Sequence, residues 1–454
     1  PARRSLALAE PRGQELAALA HRPRGPDEAI KGQHDVRPAD FGAVLVSIGS
    51  FVVGLLLLSL GAETCGLLLT YFSAQSGFNL YMKVVLSSTT VSKELGLRGV
   101  PAAFLVTALQ QVISFLVLGA SLCVKSLPPW NYRLRPLRTS SDIAAVLLYS
   151  VTFAGNRGFN NFALSLLPMS LNLILRSCMP LMTVALECGF RRLGASSAAG
   201  GTPASASELG FLCVGVLFAA LATWTQCIEA TDDPKVHIVL GVMVGMMSLL
   251  FGALNMIGCN VLGKDVGINA LDATFYSALP SAALCLLPVF NMDHPAWPAL
   301  GRMTDWEVFS RVWQLSPVTI LLVLFSGILA IAYSLFMFRL VMALSAAHTA
   351  FAGNFNKAVT IVISLVFGLE LLPPRFWGPL MILALLGNMG SFLGYTMLLI
   401  TRKEQGKGDA ASRAEKGPAE AALDRAQANK DDGVTPGASA STLDSDEKEV
   451  QPIH

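Results

Sequence analysis

Two cations lie where an apolar chain has the least reason to place them. Arg176 stands at the centre of ALSLLPMSLNLILRSCMPLMTV, and Lys357 at the centre of ALSAAHTAFAGNFNKAVTIVIS. Each segment opens on Ala-Leu-Ser (Ala163-Leu164-Ser165 and Ala343-Leu344-Ser345), and the cation follows 13 or 14 residues after that Ala. A charged side chain at membrane depth costs roughly 2.5–3.5 kcal/mol on insertion scales unless it faces a partner or a wet cavity. Two such charges at matching places in two halves point to one central site for an anion.

Amides and hydroxyls recur around them at helical spacing. Asn79 and Lys83 are four apart, as are Asn156 and Asn160, and Asn172 and Arg176. Asn354 and Lys357 are three apart, with Thr360 one turn further on, and Asn388 and Tyr395 lie two turns apart. Residues at these spacings share a helix face. An amide in hydrocarbon needs a partner. A cavity lined by amides and cations supplies donors for phosphate, sugar hydroxyls and a base edge. Arg157 is expected to pair with Glu187 or anchor a loop if it is not part of that cavity. Lys83 has a competing reading as a snorkelling cation near a span end, Arg339 as an interface marker and Lys264 as part of a solvated loop.

The elements that must position these groups follow from composition. The chain has 454 residues, 53% of them hydrophobic and 14% charged, against about 25% charged in ordinary soluble domains. Mean hydropathy is +0.55. Such a chain is an all-α membrane protein rather than a soluble fold. Ten apolar spans are expected, near 64–88, 100–124, 142–163, 168–190, 208–228, 236–262, 270–290, 316–342, 347–369 and 376–400. An extra hydrophobic segment at 41–62 reads as a leader core or an accessory helix, with 1–40 before it and a tail at 404–454 expected to be disordered. Ten Lys and Arg against six in the short loops place the C-terminus in the cytosol.

The eight cysteines lie in or beside apolar segments with no C-x-x-C pair, which reads as packing. No metal site or cofactor is expected. No H-E-x-x-H, Ser-His-Asp set or carboxylate pair lies in the spans, so an enzyme is not expected either. A nucleic-acid partner would need basic clusters interleaved with aromatics, and none is present.

Five stretches carry a family resemblance: FNLYMKVVL at 78–86, NNFALSLLPMSLNLILRS at 160–177, GALNMIGCNVLGK at 252–264, NALDATFYSALPSAALCLLP at 269–288 and GNFNKAVTIVISLVFG at 353–368. Over residues 64–400 the chain resembles the nucleotide-sugar and triose-phosphate translocator group of the drug/metabolite transporter superfamily. The resemblance implies ten transmembrane helices as two inverted five-helix repeats, 64–228 and 236–400. It also implies alternating access and strict exchange of a phosphorylated solute for phosphate or a nucleoside monophosphate. The group's phosphate-binding cations fall on Arg176 and Lys357. Plastid phosphate translocators carry Lys-Arg in the late motif, where this chain has Lys357-Ala358, and a Lys at the early position, where it has Arg176. The expected cargo is therefore a nucleotide sugar, UDP- or GDP-linked, exchanged for a nucleoside monophosphate in a Golgi or endoplasmic reticulum membrane. The alternative is a sugar phosphate exchanged for phosphate in a plastid envelope. A homodimer in the bilayer is left open.

Overall fold

The computed structural model describes residues 38–167, 169–193, 206–229, 235–297, 300–344, 346–367 and 376–415. Residues 1–37 of the region expected to precede the first segment and residues 416–454 of the tail lie outside the described residues, as does Ser345 of the second Ala-Leu-Ser. The structure is mostly helical. The helices are α1 (Pro38–Ser59), α2 (Glu63–Lys83), α3 (Ala103–Ser126), α4 (Ser140–Leu166), α5 (Met169–Arg176), α6 (Met179–Arg192) and α7 (Ala206–Glu229). They continue as α8 (Lys235–Val261), α9 (Ala270–Leu286), α10 (Asp305–Leu315), α11 (Pro317–Leu344), α12 (Ala346–Val366) and α13 (Trp377–Glu415). One wide turn, Val84–Ser88, extends α2, and another, Leu262–Val266, extends α8. The chain forms two compact units that part between Tyr395 and Thr396. The second holds the end of α13, which runs to Glu415 through Lys-, Arg- and Ala-bearing sequence suited to helix.

Among the described residues, four helices are long and apolar enough to cross a membrane: Ala103–Ser126, Val239–Val266, Pro317–Leu344 and Trp377–Tyr395. Their packing is that of a bundle in an apolar solvent. On α11 the outward face is Val318, Leu321, Phe325 and Ile328, all exposed, whereas Thr319, Ser326, Gly327 and Ser334 are buried. An exposed apolar stripe over a small, polar interior is what lipid-facing helices require. Several other expected spans are less apolar because they carry the polar interior: α2 buries Thr70, Gln75 and Ser76, and α4 buries Asn156, Arg157, Asn160 and Asn161. The segment expected as one span at 168–190 is instead two helices, α5 and α6, with a break at Ser177-Cys178.

The first segment, α1, packs antiparallel along α2, with Ser47 beside Gly77, Gly54 beside Thr70 and Leu58 beside Gly66. Elsewhere α4 lies closely along α8, with the Phe251 ring filling the space beside Gly155.

Two short antiparallel hairpins cap one end of the bundle. β1 (Thr90–Ser92) pairs with β2 (Leu97–Arg98), and β3 (His294–Trp297) with β4 (Gly301–Met303). They interlock where Trp297 Nε1 donates to the Arg98 carbonyl at 2.9 Å. Beside them α10 buries Val308 and Val312 while exposing Trp306 and Trp313, the pattern of a helix lying at an interface. This helix stands where the sequence was read as a connecting loop. Its start carries a reciprocal Thr304/Glu307 cap, the S/T-x-x-E signal of a helix N-terminus.

The same end is fastened by a buried ion pair. His294 Nε2 lies 2.6 Å from Asp305 Oδ1, with both side chains 2% exposed. Asp305 Oδ2 accepts the Leu105 N–H at 2.8 Å, capping the first turn of α3 from α10. His294 Nδ1 lies 3.1 Å from the Pro295 carbonyl. Both ring nitrogens thus face oxygens that only accept, so the doubly protonated ring satisfies them together. Burial opposes that charge, but the Asp305 carboxylate outweighs it and holds the His294 pKa above its usual value.

A group whose pKa is raised on folding adds stability that is present below the unfolded value, about 6.5, and is lost as pH climbs through the folded one. Asp305→Ala leaves a buried imidazolium uncompensated, a loss of about 3–5 kcal/mol by comparison with other broken buried pairs. The expected result in thermal melts is a destabilisation that is largest below the unfolded value of about 6.5 and shrinks as pH climbs through the raised pKa of His294 and the ring gives up its proton.

Candidate functional site

Pro180 sets the geometry of the site. Located in the first turn of α6, it has no N–H to give the carbonyl four residues back, which belongs to Arg176. α5 therefore ends at Arg176, and its last carbonyls need outside donors. Two side chains of α12 supply them. Lys357 Nζ donates to Arg176 O at 2.6 Å, and Asn354 Nδ2 donates to Ser177 O at 2.7 Å. A cation at a helix C-terminus is also favoured by the aligned peptide dipoles. Lys357 Nζ donates in addition to Asn354 Oδ1 at 2.8 Å.

This arrangement brings the two cations to one place. Arg176 and Lys357 are both buried and line the same cavity, shared with Asn156, Tyr71, Gln75 and Tyr333. Met179, Met256 and Met337 supply apolar wall. Arg176 Nη2 donates to Asn156 Oδ1 at 3.1 Å, and Ser248 Oγ donates to the Asn156 carbonyl at 2.9 Å. The cavity has a volume of about 10 Å³, room for a single water molecule.

A third buried cation lies alongside. The Arg157 guanidinium stands 4.2 Å from the ring centre of Tyr333, 4.8 Å from that of Phe78 and 5.3 Å from that of Phe153. Phe78 and Tyr333 are parallel to within 3° at 6.0 Å, and Tyr71 stacks on Tyr333 at 5.9 Å. Arg157 Nη2 donates to Ser334 Oγ at 3.0 Å, and its Nε has no hydrogen-bond partner. The expected pairing of Arg157 with Glu187 is not made: Arg157 is held by ring faces and a hydroxyl, and Glu187 Oε1 is itself without a hydrogen-bond partner. Arg157, Arg176 and Lys357 bond only to neutral oxygens, with no carboxylate among their partners in the described residues.

The other sequence-predicted residues are spread around this centre. Asn160 accepts from Asn172 at 3.2 Å, tying α4 to α5. Thr360 shares a hydrogen bond with Ser76 at 2.6 Å, and Asn356 donates to Gln75 Oε1 at 2.9 Å, so α2 and α12 are zipped together. Asn354 and Asn388 line a second small cavity with Ser177 and Ser391, and Asn388 donates to the Gly215 carbonyl. Tyr395 is buried on α13 but lines neither cavity. Lys83 donates to the Leu167 and Leu164 carbonyls at 2.9 and 3.4 Å, where it caps the end of α4. Asn79, one turn before it, is half-buried and outside the cavity lining.

On α2 the face was legible but its depth was not. Tyr71 and Gln75 continue the i, i+4 series of Asn79 and Lys83 in the other direction. Gln75 sits eight residues before Lys83, about 12 Å along the axis. Tyr71 and Gln75 reach the cavity, and Lys83 stays at the end of the bundle.

No family model matches the chain, and no curated protein does. One solved structure, described only as "Crystal structure of protein", is similar at 15% identity with a TM-score of 0.43, over 72% of this chain and 95% of its own.

The placement of Asn156 depends on the α4–α8 contact next to it. A Cβ added at Gly155 would stand 2.6 Å from Phe251 Cγ. Gly155→Ala is expected to cost about 1–3 kcal/mol, the range for overpacked interiors. Thermal unfolding in detergent measures the loss, and replacing Phe251 by Leu in the same chain should recover part of it.

Proposed function

We propose that the chain is an antiporter that exchanges a nucleotide sugar, UDP- or GDP-linked, for a nucleoside monophosphate across a Golgi or endoplasmic reticulum membrane. On this reading ten transmembrane helices form two inverted five-helix repeats, and access to the site alternates between the two membrane faces. The observation that carries the reading is the convergence of Arg176 and Lys357 on one cavity with no carboxylate to neutralise them. A phosphorylated solute supplies the missing charge. Arg176 can take phosphate oxygens through two parallel hydrogen bonds, and Lys357 acts as a point charge.

The size of the cavity supports a moving carrier. Sites for cofactor-sized ligands measure about 300–1,000 Å³, whereas this one measures about 10 Å³. The described conformation is closed over the cations, and a solute enters only when the helices around the α5–α6 break separate. Entering phosphate replaces the Asn156, Asn354 and carbonyl oxygens that the cations hold in the closed form. The stacked Tyr71, Tyr333 and Phe78 offer flat faces to a base.

The test is exchange in proteoliposomes preloaded with nucleoside monophosphate and supplied with labelled nucleotide sugar. Lys357→Ala and Arg176→Ala should each lower exchange about 100-fold, equivalent to ~2.7 kcal/mol and within the range for hydrogen bonds to charged groups. Arg311→Gln, remote from the cavity, should exchange at the normal rate. Unchanged exchange by Lys357→Ala would refute the assignment. Uptake of sugar phosphate against phosphate, with none of nucleotide sugar, would replace the cargo.

A further inference from the structure

A second, much larger opening lies at the end of the bundle opposite the hairpins. It measures about 710 Å³ and is bounded by the ends of α3 and α11, the turn after α8 and the start of α9. Its floor is apolar, with Phe338, Met342 and Leu271. Two cations stand in it, Lys125 in the last turn of α3 and Arg339 near the end of α11, and both are exposed. Neither side chain makes a hydrogen bond or ion pair among the described residues. The nearby carboxylate, Asp272, is already taken: it accepts from Tyr132 Oη at 2.6 Å and from the Arg135 N–H at 3.1 Å. Tyr132 in turn accepts from Asn269 at 2.6 Å. Among the described residues no carboxylate lines the cleft beside Lys125 and Arg339.

Depth narrows the ligand. Ala103–Ser126 and Pro317–Leu344 are both of membrane-crossing length and apolarity. Lys125 is one residue from the end of the first, and Arg339 is five from the end of the second, about 7 Å inward. That interval matches the headgroup layer, about 5–7 Å thick on each side of the hydrocarbon. A soluble anion would have no use for an apolar floor at this level, and an uncharged lipid would leave the two cations unmatched.

We propose that this cleft binds an acidic phospholipid, with its headgroup phosphate between Lys125 and Arg339 and an acyl chain against Phe338 and Met342. The site lies apart from the Arg176–Lys357 cavity and does not rest on the transport reading.

The experiment is thermal unfolding of the full chain in an uncharged detergent, titrated with phosphatidic acid, phosphatidylcholine or inorganic phosphate. Phosphatidic acid should raise the midpoint with an apparent affinity at least about tenfold above that of phosphatidylcholine, a difference of ~1.4 kcal/mol. Lys125→Gln/Arg339→Gln should abolish that preference, and each single change should reduce it, so that the site is testable even if the double variant fails to fold. Arg133→Gln/Arg138→Gln, on exposed cations of the same bundle end, should keep it. Equal stabilisation by both lipids, equal stabilisation by inorganic phosphate, or an undiminished preference in the single variants overturns the proposal.

Discussion

The interior of this bundle is organised by positive charge without a counter-charge. Arg157, Arg176 and Lys357 are all buried, and every hydrogen bond they make goes to a neutral oxygen. Removing an ion from water costs several kcal/mol even after relaxation, and neutral dipoles return only part of it. The chain uses the devices available to it. An aromatic cage faces Arg157, an amide holds Arg176, and Lys357 occupies the negative end of a short helix. Each lowers the cost without cancelling the charge. A closed state of this composition is therefore one that an anion can improve, and this property links the packing to the proposed exchange.

That arrangement traces to one residue. If α5 and α6 were continuous, the Arg176 carbonyl would be satisfied within its own helix and Lys357 would lose its closest acceptor. Pro180 removes the donor, ends α5 at Arg176 and hands the carbonyl to α12. The two cations are consequently not mirror images in their local structure. Arg176 closes a short helix, whereas Lys357 lies within the 21 residues of α12. Each serves the other: the lysine caps the helix that carries the arginine.

Much of this was legible in the sequence, and the rest was not for definable reasons. A cation inside twenty apolar residues stands out because nothing else there is charged, so Arg176 and Lys357 were found directly. Amides are less informative. Asn160, Asn172 and Thr360 carry the same polar-face signal as Asn156, yet they join helix to helix and Asn156 faces the cavity. Interhelical hydrogen bonding and ligand binding draw on the same residue types, and one sequence cannot separate them. Depth along α2 was lost for a related reason, since periodicity gives the face of a helix but not the level at which neighbours open a space. The break at Ser177-Cys178 was present as Pro180, but a proline inside a membrane span is commonly absorbed by its neighbours, so its effect required the tertiary contact with Lys357. α10 was overlooked because eleven residues with two exposed tryptophans carry too little apolar sequence to resemble a span.

The two ends of the bundle are unequal. At the hairpin end, separation of the helices must break the His294–Asp305 pair, the Asp305 cap on α3, the Trp297–Arg98 bond and the hold of Lys83 on α4. Those contacts are buried or half-buried, and an orphaned buried partner costs more than an exposed one. At the other end the cleft of about 710 Å³ already stands open between α3, α9 and α11. The polar contacts there, Tyr132 and Arg135 with Asp272 and Asn269, join the α3–α4 connection to α9 and leave α11 out. Displacing the end of α11, which carries Tyr333 and Met337 of the central cavity, breaks none of them and gives up only the Ser334 hydroxyl and the Tyr333 ring that face Arg157. Opening toward the cleft therefore sacrifices fewer specific interactions than opening toward the hairpins, and the proton on His294 sets how large that difference is.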